Sequence, residues 1–243
     1  AAQVTGITPA EVYWVRLEPQ PAGDGIMCVV QDANSDVFAV YWTSTTWTSA
    51  QTLTTVSNIA TKQNYDLAFE QQSKRCLIVY SETDPKYAIY SSTALTWAAL
   101  GASAPTLYDG AGGAWLKLSA DPTSNRIGLT TIDNATDWNV CIWNGTSWGT
   151  RPAEDAAMET NVYRCTDIAW EKDSGRCIVV AIDKDALQFS FLAWDEASGW
   201  HNPLTGSAAS PSVAPKDTYS FSDDIQWIQI NSDPNLNRMM VIG

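Results

Sequence analysis

Four segments decide the reading of this chain: VFAVYWTSTTW (Val37 to Trp47), KYAIYSSTALTW (Lys86 to Trp97), WNVCIWNGTSW (Trp138 to Trp148) and FSFLAWDEASGW (Phe189 to Trp200). Each is an apolar, β-branched and aromatic run that passes through a short polar turn and ends on Trp. The terminal residues Trp47, Trp97, Trp148 and Trp200 recur every 50 to 52 positions. A fixed period of this length marks a repeat architecture in which each unit is one supersecondary element.

Working outward, a second apolar run precedes each segment: IMCVVQD, RCLIVYS, RIGLTTID and RCIVVAID, with a fifth, RMMVIG, at the C-terminus. Before these come short runs WVRLE, DLAFE, WLKLS, DIAWE and WIQIN, joined to the second runs by turn formers such as DPTSN and SDPNLN. Every unit therefore reads as strands A, B and C, then D after the Trp. Runs of five to seven apolar residues without helical spacing fit strands covered on both faces. Four-stranded sheets stacked face to face around an axis cover both faces, which is the propeller solution. The Asn144-Gly145 pair predicts a type I′ hairpin between strands C and D of the third unit.

The expected fold is all-β, a single five-bladed β-propeller domain over residues 1–243. Full repeats span about 10–59, 60–110, 111–160 and 161–216, with a partial repeat at 217–243 holding strands A and B only. Closure would fall to the N-terminal AAQVTGI, pairing beside the half blade within the chain or donated to a neighbour. Odd repeats open strand A with Trp14, Trp115 and Trp227, and even ones with Asp66 and Asp167. Glu70 and Glu171, Arg75 and Arg176, and Cys76 and Cys177 are each 101 residues apart, so the unit of duplication is a pair of blades. Matched cysteines two blades apart are expected to be buried thiols that cannot bond each other.

Composition narrows the function. Twenty-seven acidic against fourteen basic residues give a net charge of −13, which repels the phosphate backbone of a nucleic acid. No run of about 18 apolar residues exists to insert in a membrane. The start at Ala1-Ala2-Gln3 is what signal-peptide cleavage leaves, although a fragment boundary looks the same, and with the acidity it leads to the expectation of a secreted protein. A single His, His201, removes His-rich metal sites.

Strand direction sorts residues between the two faces of the disc. Trp14, Asp66, Trp115, Asp167 and Trp227 share one face with the acidic B-to-C loops, and flat indoles beside carboxylates suit a sugar or a cation. These five form the candidate ligand site, weighed against simple packing around the channel. Trp47, Trp97, Trp148 and Trp200 start strand D at the opposite face and read first as blade-closing anchors. Asp32-x-Asn34-x-Asp36 has the alternation of a calcium loop, but no Gly and no downstream Glu complete it, so an ordinary Asp/Asn turn is favoured and no cofactor is expected.

With these residues in view, the WNGTSW-type repeat resembles those of bacterial cell-surface propellers and is similar to tachylectin and fucose-lectin blades. The resemblance implies a sugar site in each blade built from an Arg, a Glu and a Trp. Arg75, Arg126, Arg176 and Arg238 lead strand B, Gly25 stands there in the first repeat, and Glu70 and Glu171 are read as lacking counterparts in repeats three and five. Quasi-equivalent blades without a differentiated active site favour a non-catalytic extracellular interaction or assembly module, of cell-surface or filament type. Its partners would be further copies, or a surface glycan or protein. The alternative is a lectin with repeated sites, and a third reading is a glycoside hydrolase using Asp66 and Asp167 as its carboxylate pair.

Overall fold

The computed structural model describes residues 7–55, 57, 61–105, 112–150, 158, 164–183, 188–203, 205–206, 217–220 and 227–243. Within them every regular element is a strand, and every pairing is antiparallel and between near neighbours in sequence. The first sheet runs β1 (Val12–Pro19), β2 (Ile26–Asp32), β3 (Val37–Trp42) and β4 (Gln51–Thr54), in that order. The second repeats it with β5 (Tyr65–Phe69), β6 (Arg75–Ser81), β7 (Pro85–Ser91) and β8 (Thr96–Ser103). In the third, β9 (Gly113–Ala120), β10 (Ile127–Asp133) and β11 (Trp138–Trp143) are full strands, and the D position shrinks to one bridge between Trp143 and Trp148.

The fourth sheet holds β12 (Thr166–Trp170), β13 (Cys177–Asp183), β14 (Gln188–Asp195) and β15 (Gly199–His201), and β16 (Asp217–Ser220) also pairs with β14. This corrects the repeat boundary. Residues 217–220 hydrogen-bond to the fourth sheet rather than opening the fifth, because β15 is only three residues long and leaves most of β14's outer edge free. The fifth sheet is the pair β17 (Gln229–Ser232) and β18 (Met239–Ile242).

The middle strands show why this pattern folds as stacked sheets. All seven residues of β10 and all six of β11 are buried, as expected for strands with a sheet against each face. Met27, Val29 and Tyr41 of the first sheet pack with Leu67, Cys76 and Ile78 of the second. The opposite face of the second, Ala68, Leu77 and Val79, packs with Leu118, Ile127 and Trp143 of the third. A further cluster joins the third, fourth and fifth sheets through Ile142, Ile168, Val179 and Ile230. Consecutive sheets thus share cores.

The A strands gather at the inside of this stack, where two aspartates clip them together. Asp66 Oδ2 accepts the backbone N–H of Leu118 at 2.8 Å, and Asp167 Oδ2 accepts that of Ile230 at 3.0 Å. Each carboxylate reaches from the A strand of an even sheet to that of the next odd one. Among the described residues no strand joins the fifth sheet to the first; the segment expected to close the ring lies, apart from Ile7, outside the described residues.

The hairpin at Asn144 differs from its prediction by one position. Asn144 N donates to Ser147 O at 3.0 Å, and only Gly145 of the turn has a positive φ, 98°. The two central residues are therefore Gly145 and Thr146, the pattern of a II′ rather than a I′ turn. Asn144 serves instead as an acceptor, its Oδ1 taking the N–H groups of Thr146 and Ser147.

Candidate functional site

The inner A strands surround a polar cavity of about 350 Å³, lined by Arg16, Lys117, Arg164 and Asp167 together with polar residues of β17 such as Gln229 and Asn231. Trp14 and Trp115, from the first and third repeats, meet edge to face with ring centroids 5.7 Å apart. The five residues expected to share a site are thus partly brought together. Trp227 is nearly half exposed and the two aspartates are buried.

Those aspartates have partners that define their chemistry. Asp66 is fully buried, with Arg16 Nε at 3.1 Å and Lys117 Nζ at 3.4 Å. Asp167 lies 3.7 Å from Arg164, and burial pushes its carboxyl above the usual range while Lys117, Arg164 and the Ile230 N–H pull the other way. Glu18 is raised for the same first reason, its desolvation outweighing Arg16. Arg16, Lys117 and Arg164 each sit beside one of these carboxylates, so the charges of the cavity largely compensate one another. Both carboxylates hold a backbone N–H of the next A strand and lie beside cations, the arrangement of a charge-compensated clip.

Asp32 likewise spends its oxygens on the backbone. Oδ1 accepts from Asn34 and Asp36 N–H at 2.9 and 3.1 Å, and Oδ2 from Ala10 at 2.8 Å. Asp133 repeats the arrangement toward Ala135 and Asp137. The alternation of Asp32, Asn34 and Asp36 thus builds a turn whose first carboxylate already receives three N–H groups. The acidic loop at 184–187 falls outside the described residues.

Of the strand D tryptophans, Trp200 is buried, while Trp47, Trp97 and Trp148 are half-buried. Trp47 packs on Trp42 and Trp97 on Tyr90, and Trp148 touches both Trp143 and Tyr87 of the preceding sheet.

A second constellation lies at the opposite end of the strands, where A-to-B turns meet C-to-D hairpins. Glu70 accepts Arg75 Nε and Nη2 at 2.7 and 2.8 Å, and its Oε1 also accepts the indole N–H of Trp143, one sheet further on, at 2.7 Å. Arg75 Nη2 continues to the carbonyl of Gly145 on that hairpin, and about a third of its side chain stays at the surface. One repeat later, Arg126 pairs with Asp121 and with Glu196, and its guanidinium lies 5.7 Å from the ring centroid of Trp194. Both arginines act on a hairpin 70 residues downstream. In the fourth sheet, Arg176 and Ser174 hold Glu171.

The acid of this set is not confined to two repeats, which corrects the sequence reading. Asp121 and Asp233 occupy the turn positions of Glu70 and Glu171, each with its N–H bonded to the carbonyl of Arg126 or Arg238 as Glu70 is to Arg75. The first repeat lacks the arginine because the Tyr41 hydroxyl, held by Gln20, fills the space beside Gly25. Sequence reasoning passed over these clusters because their partners are 70 residues apart and join different repeats. The signal was present in the recurrence of an acid five residues before an arginine.

No family model matches the sequence, and no curated protein matches it. Solved structures do share the fold. The BP39L lectin from Burkholderia pseudomallei superposes with a TM-score of 0.61 at 12% identity, over 93% of this chain and 63% of its own. The Aleuria aurantia lectin, described as a six-bladed β-propeller with a novel fucose recognition mode, gives 0.51 at 12%, covering 92% and 68%. An ulvan lyase from a new polysaccharide lyase family gives 0.51 at 12%, covering 87% and 58%. The chain spans under two thirds of the first of these lectins. At such identities the likeness establishes the all-β, lectin-like propeller fold.

Proposed function

We propose that this protein is a non-catalytic carbohydrate-binding propeller whose sugar sites are the clefts between successive sheets where A-to-B turns meet C-to-D hairpins. The observation that carries this reading is the Arg126 cluster, in which one guanidinium touches Asp121, Glu196 and the Trp194 ring. A planar cation with several N–H donors can bind neighbouring hydroxyls, the carboxylates accept hydroxyl protons, and the indole offers an apolar wall. Similarity to structures named as lectins supports the reading, and it ranks above the assembly module as the primary role. The lyase neighbour raises catalysis as a rival, but the two inner aspartates are committed to clipping strands.

Five blades remain our proposal for the count, since five A-to-B turns recur at Gln20, Glu70, Asp121, Glu171 and Asp233. Secretion is proposed from the acidity and low Lys content. A glycan array with fucosylated and acidic glycans tests the function: selective binding by the native chain that Arg126→Ala abolishes supports it, and a flat array overturns it.

A further inference from the structure

The polar cavity among the A strands takes no part in the sugar clefts, and the residues around it follow a regular order. The third residue of successive A strands is Arg16, Ala68, Lys117, Ala169 and Gln229, so a long hydrogen-bond donor on each odd repeat alternates with alanine on each even one. The three long residues and Ala169 line the cavity, joined by Arg164 from just before β12.

Charge is spread unevenly over this wall. With Glu18 counted, Arg16, Lys117 and Arg164 face three carboxylates in all, yet only that of Asp167 lies at the cavity surface with them. Asp66 is fully buried behind the wall with one oxygen on the Leu118 N–H, and Asp167 spends one of its own on the Ile230 N–H. The cations keep donors to spare. Lys117 is 9% exposed, and its ammonium meets a carboxylate oxygen only at 3.4 Å. Arg164 reaches Asp167 at 3.7 Å, and its buried Nε has no hydrogen-bond partner among the described residues. Arg16 stands 3.1 Å from Asp66 and 3.5 Å from Glu18 through two of its nitrogens, leaving further N–H groups of the guanidinium. Donors held out of water in excess of their acceptors make this an anion-binding wall inside an acidic chain.

Size and lining narrow the class of anion. At about 350 Å³ the cavity has roughly ten times the volume of a water molecule, room for a sugar-sized ligand. Beyond the cations, on the side of the fifth sheet, Gln229, Asn231 and Ser232 add amides and a hydroxyl, and the wall is almost wholly polar. Such a wall has nothing to hold a hydrocarbon chain or an aromatic ring. The ligand it suits carries a carboxylate for the cations and hydroxyls for the remainder.

We propose that this inner cavity binds a sugar acid, its carboxylate among Arg16, Lys117 and Arg164 and its hydroxyls on Gln229, Asn231 and Ser232. The site is separate from the clefts between sheets and does not rest on their reading.

The test is calorimetric titration at low ionic strength with glucuronate, galacturonate and gluconate, on the native chain and on Arg164→Gln and Lys117→Met, with circular dichroism confirming the fold. At least one of the acids is expected to bind the native chain, and each variant to bind it about tenfold or more weakly, the loss of a charge-assisted hydrogen bond. Excess glucose is expected not to displace the acid, and sulfate to displace it only at concentrations about tenfold or more higher, for want of hydroxyl contacts. Should Lys117→Met not fold, Gln229→Ala takes its place and is expected to weaken the acid while leaving sulfate unchanged. Flat titrations with all three acids, affinity that survives Arg164→Gln, displacement by glucose, or sulfate competing as well as the acid overturns the proposal. A flat glycan array beside an Arg164-dependent acid site would overturn the cleft reading alone.

Discussion

The indole N–H of Trp143 donates to Glu70 Oε1 at 2.7 Å across 73 residues of sequence, so the third sheet's hairpin is held by a carboxylate of the second. Glu70 is 1% exposed and is matched by Arg75. Replacing it with Ala leaves the buried indole without its acceptor and Arg75 with the Gly145 carbonyl, Ser73 and solvent. Glu70→Ala is expected to cost about 1–3 kcal/mol in urea unfolding, the usual penalty for leaving a buried donor unsatisfied beside a partly solvated ion pair. Trp143→Phe should cost less than Glu70→Ala if this ionic pairing dominates.

Gly128 is a matter of close approach. A Cβ added there would collide with Cδ1 of Ile168 on the next sheet. Gly128→Ala is expected to destabilise by about 1–3 kcal/mol, as overpacking does. Ile168→Val removes the colliding methyl group, so the double variant should recover most of the loss, a coupling that thermal melts of the four-member cycle will show.

Asp167 gives a pH signature. Its folded carboxyl is raised by burial, so the folded state holds the proton more tightly than the unfolded chain, where Asp titrates near 4. Its contribution favours folding below that value and falls away as pH climbs through the raised folded value. The melting temperature of Asp167→Asn minus that of the native chain is therefore expected to increase from pH 4 upward. A flat difference would show that Asp167 titrates normally.

Thiol chemistry reads out burial in the stacked sheets. All five cysteines are free, and burial pushes the Cys76 and Cys177 thiols well up, so both should resist alkylation until the chain unfolds. Cys28 is only half-buried and pairs in register with Leu17. It is expected to be alkylated before the four buried thiols.

Arg126→Lys should bind a cluster-recognised sugar at least about tenfold more weakly than the native chain, because an ammonium keeps the charge and loses the planar fork. Calorimetric titration with the best glycan from the array measures it.

Much of the architecture was legible in the chain because its signals are local. The Trp-ended segments gave the period, and the β-branched runs RCLIVYS and RCIVVAID became β6 and β13. The pairing of Asp66 with Leu118 and of Arg75 with Gly145 was not legible, since the partners belong to different repeats and only stacking brings them together. Asp66 and Asp167 stand out in the sequence for being acidic at an inner position, yet that position lies where carboxylates are consumed by backbone and cations. The boundary at 217 was misplaced because nothing local announces that β15 stops after three residues.

The inner clips also have a grammar. Asp66 speaks to Lys117 and to the Leu118 backbone, and Asp167 to the Ile230 backbone, so acidic A strands always address a following strand of the other type. Excising the third repeat would set the two buried aspartates side by side and strip Asp66 of Lys117. Excising two consecutive repeats would leave every neighbour of the kind it had before. The 101-residue echo of Glu70 and Glu171, Arg75 and Arg176, and Cys76 and Cys177 keeps step with that two-sheet alternation.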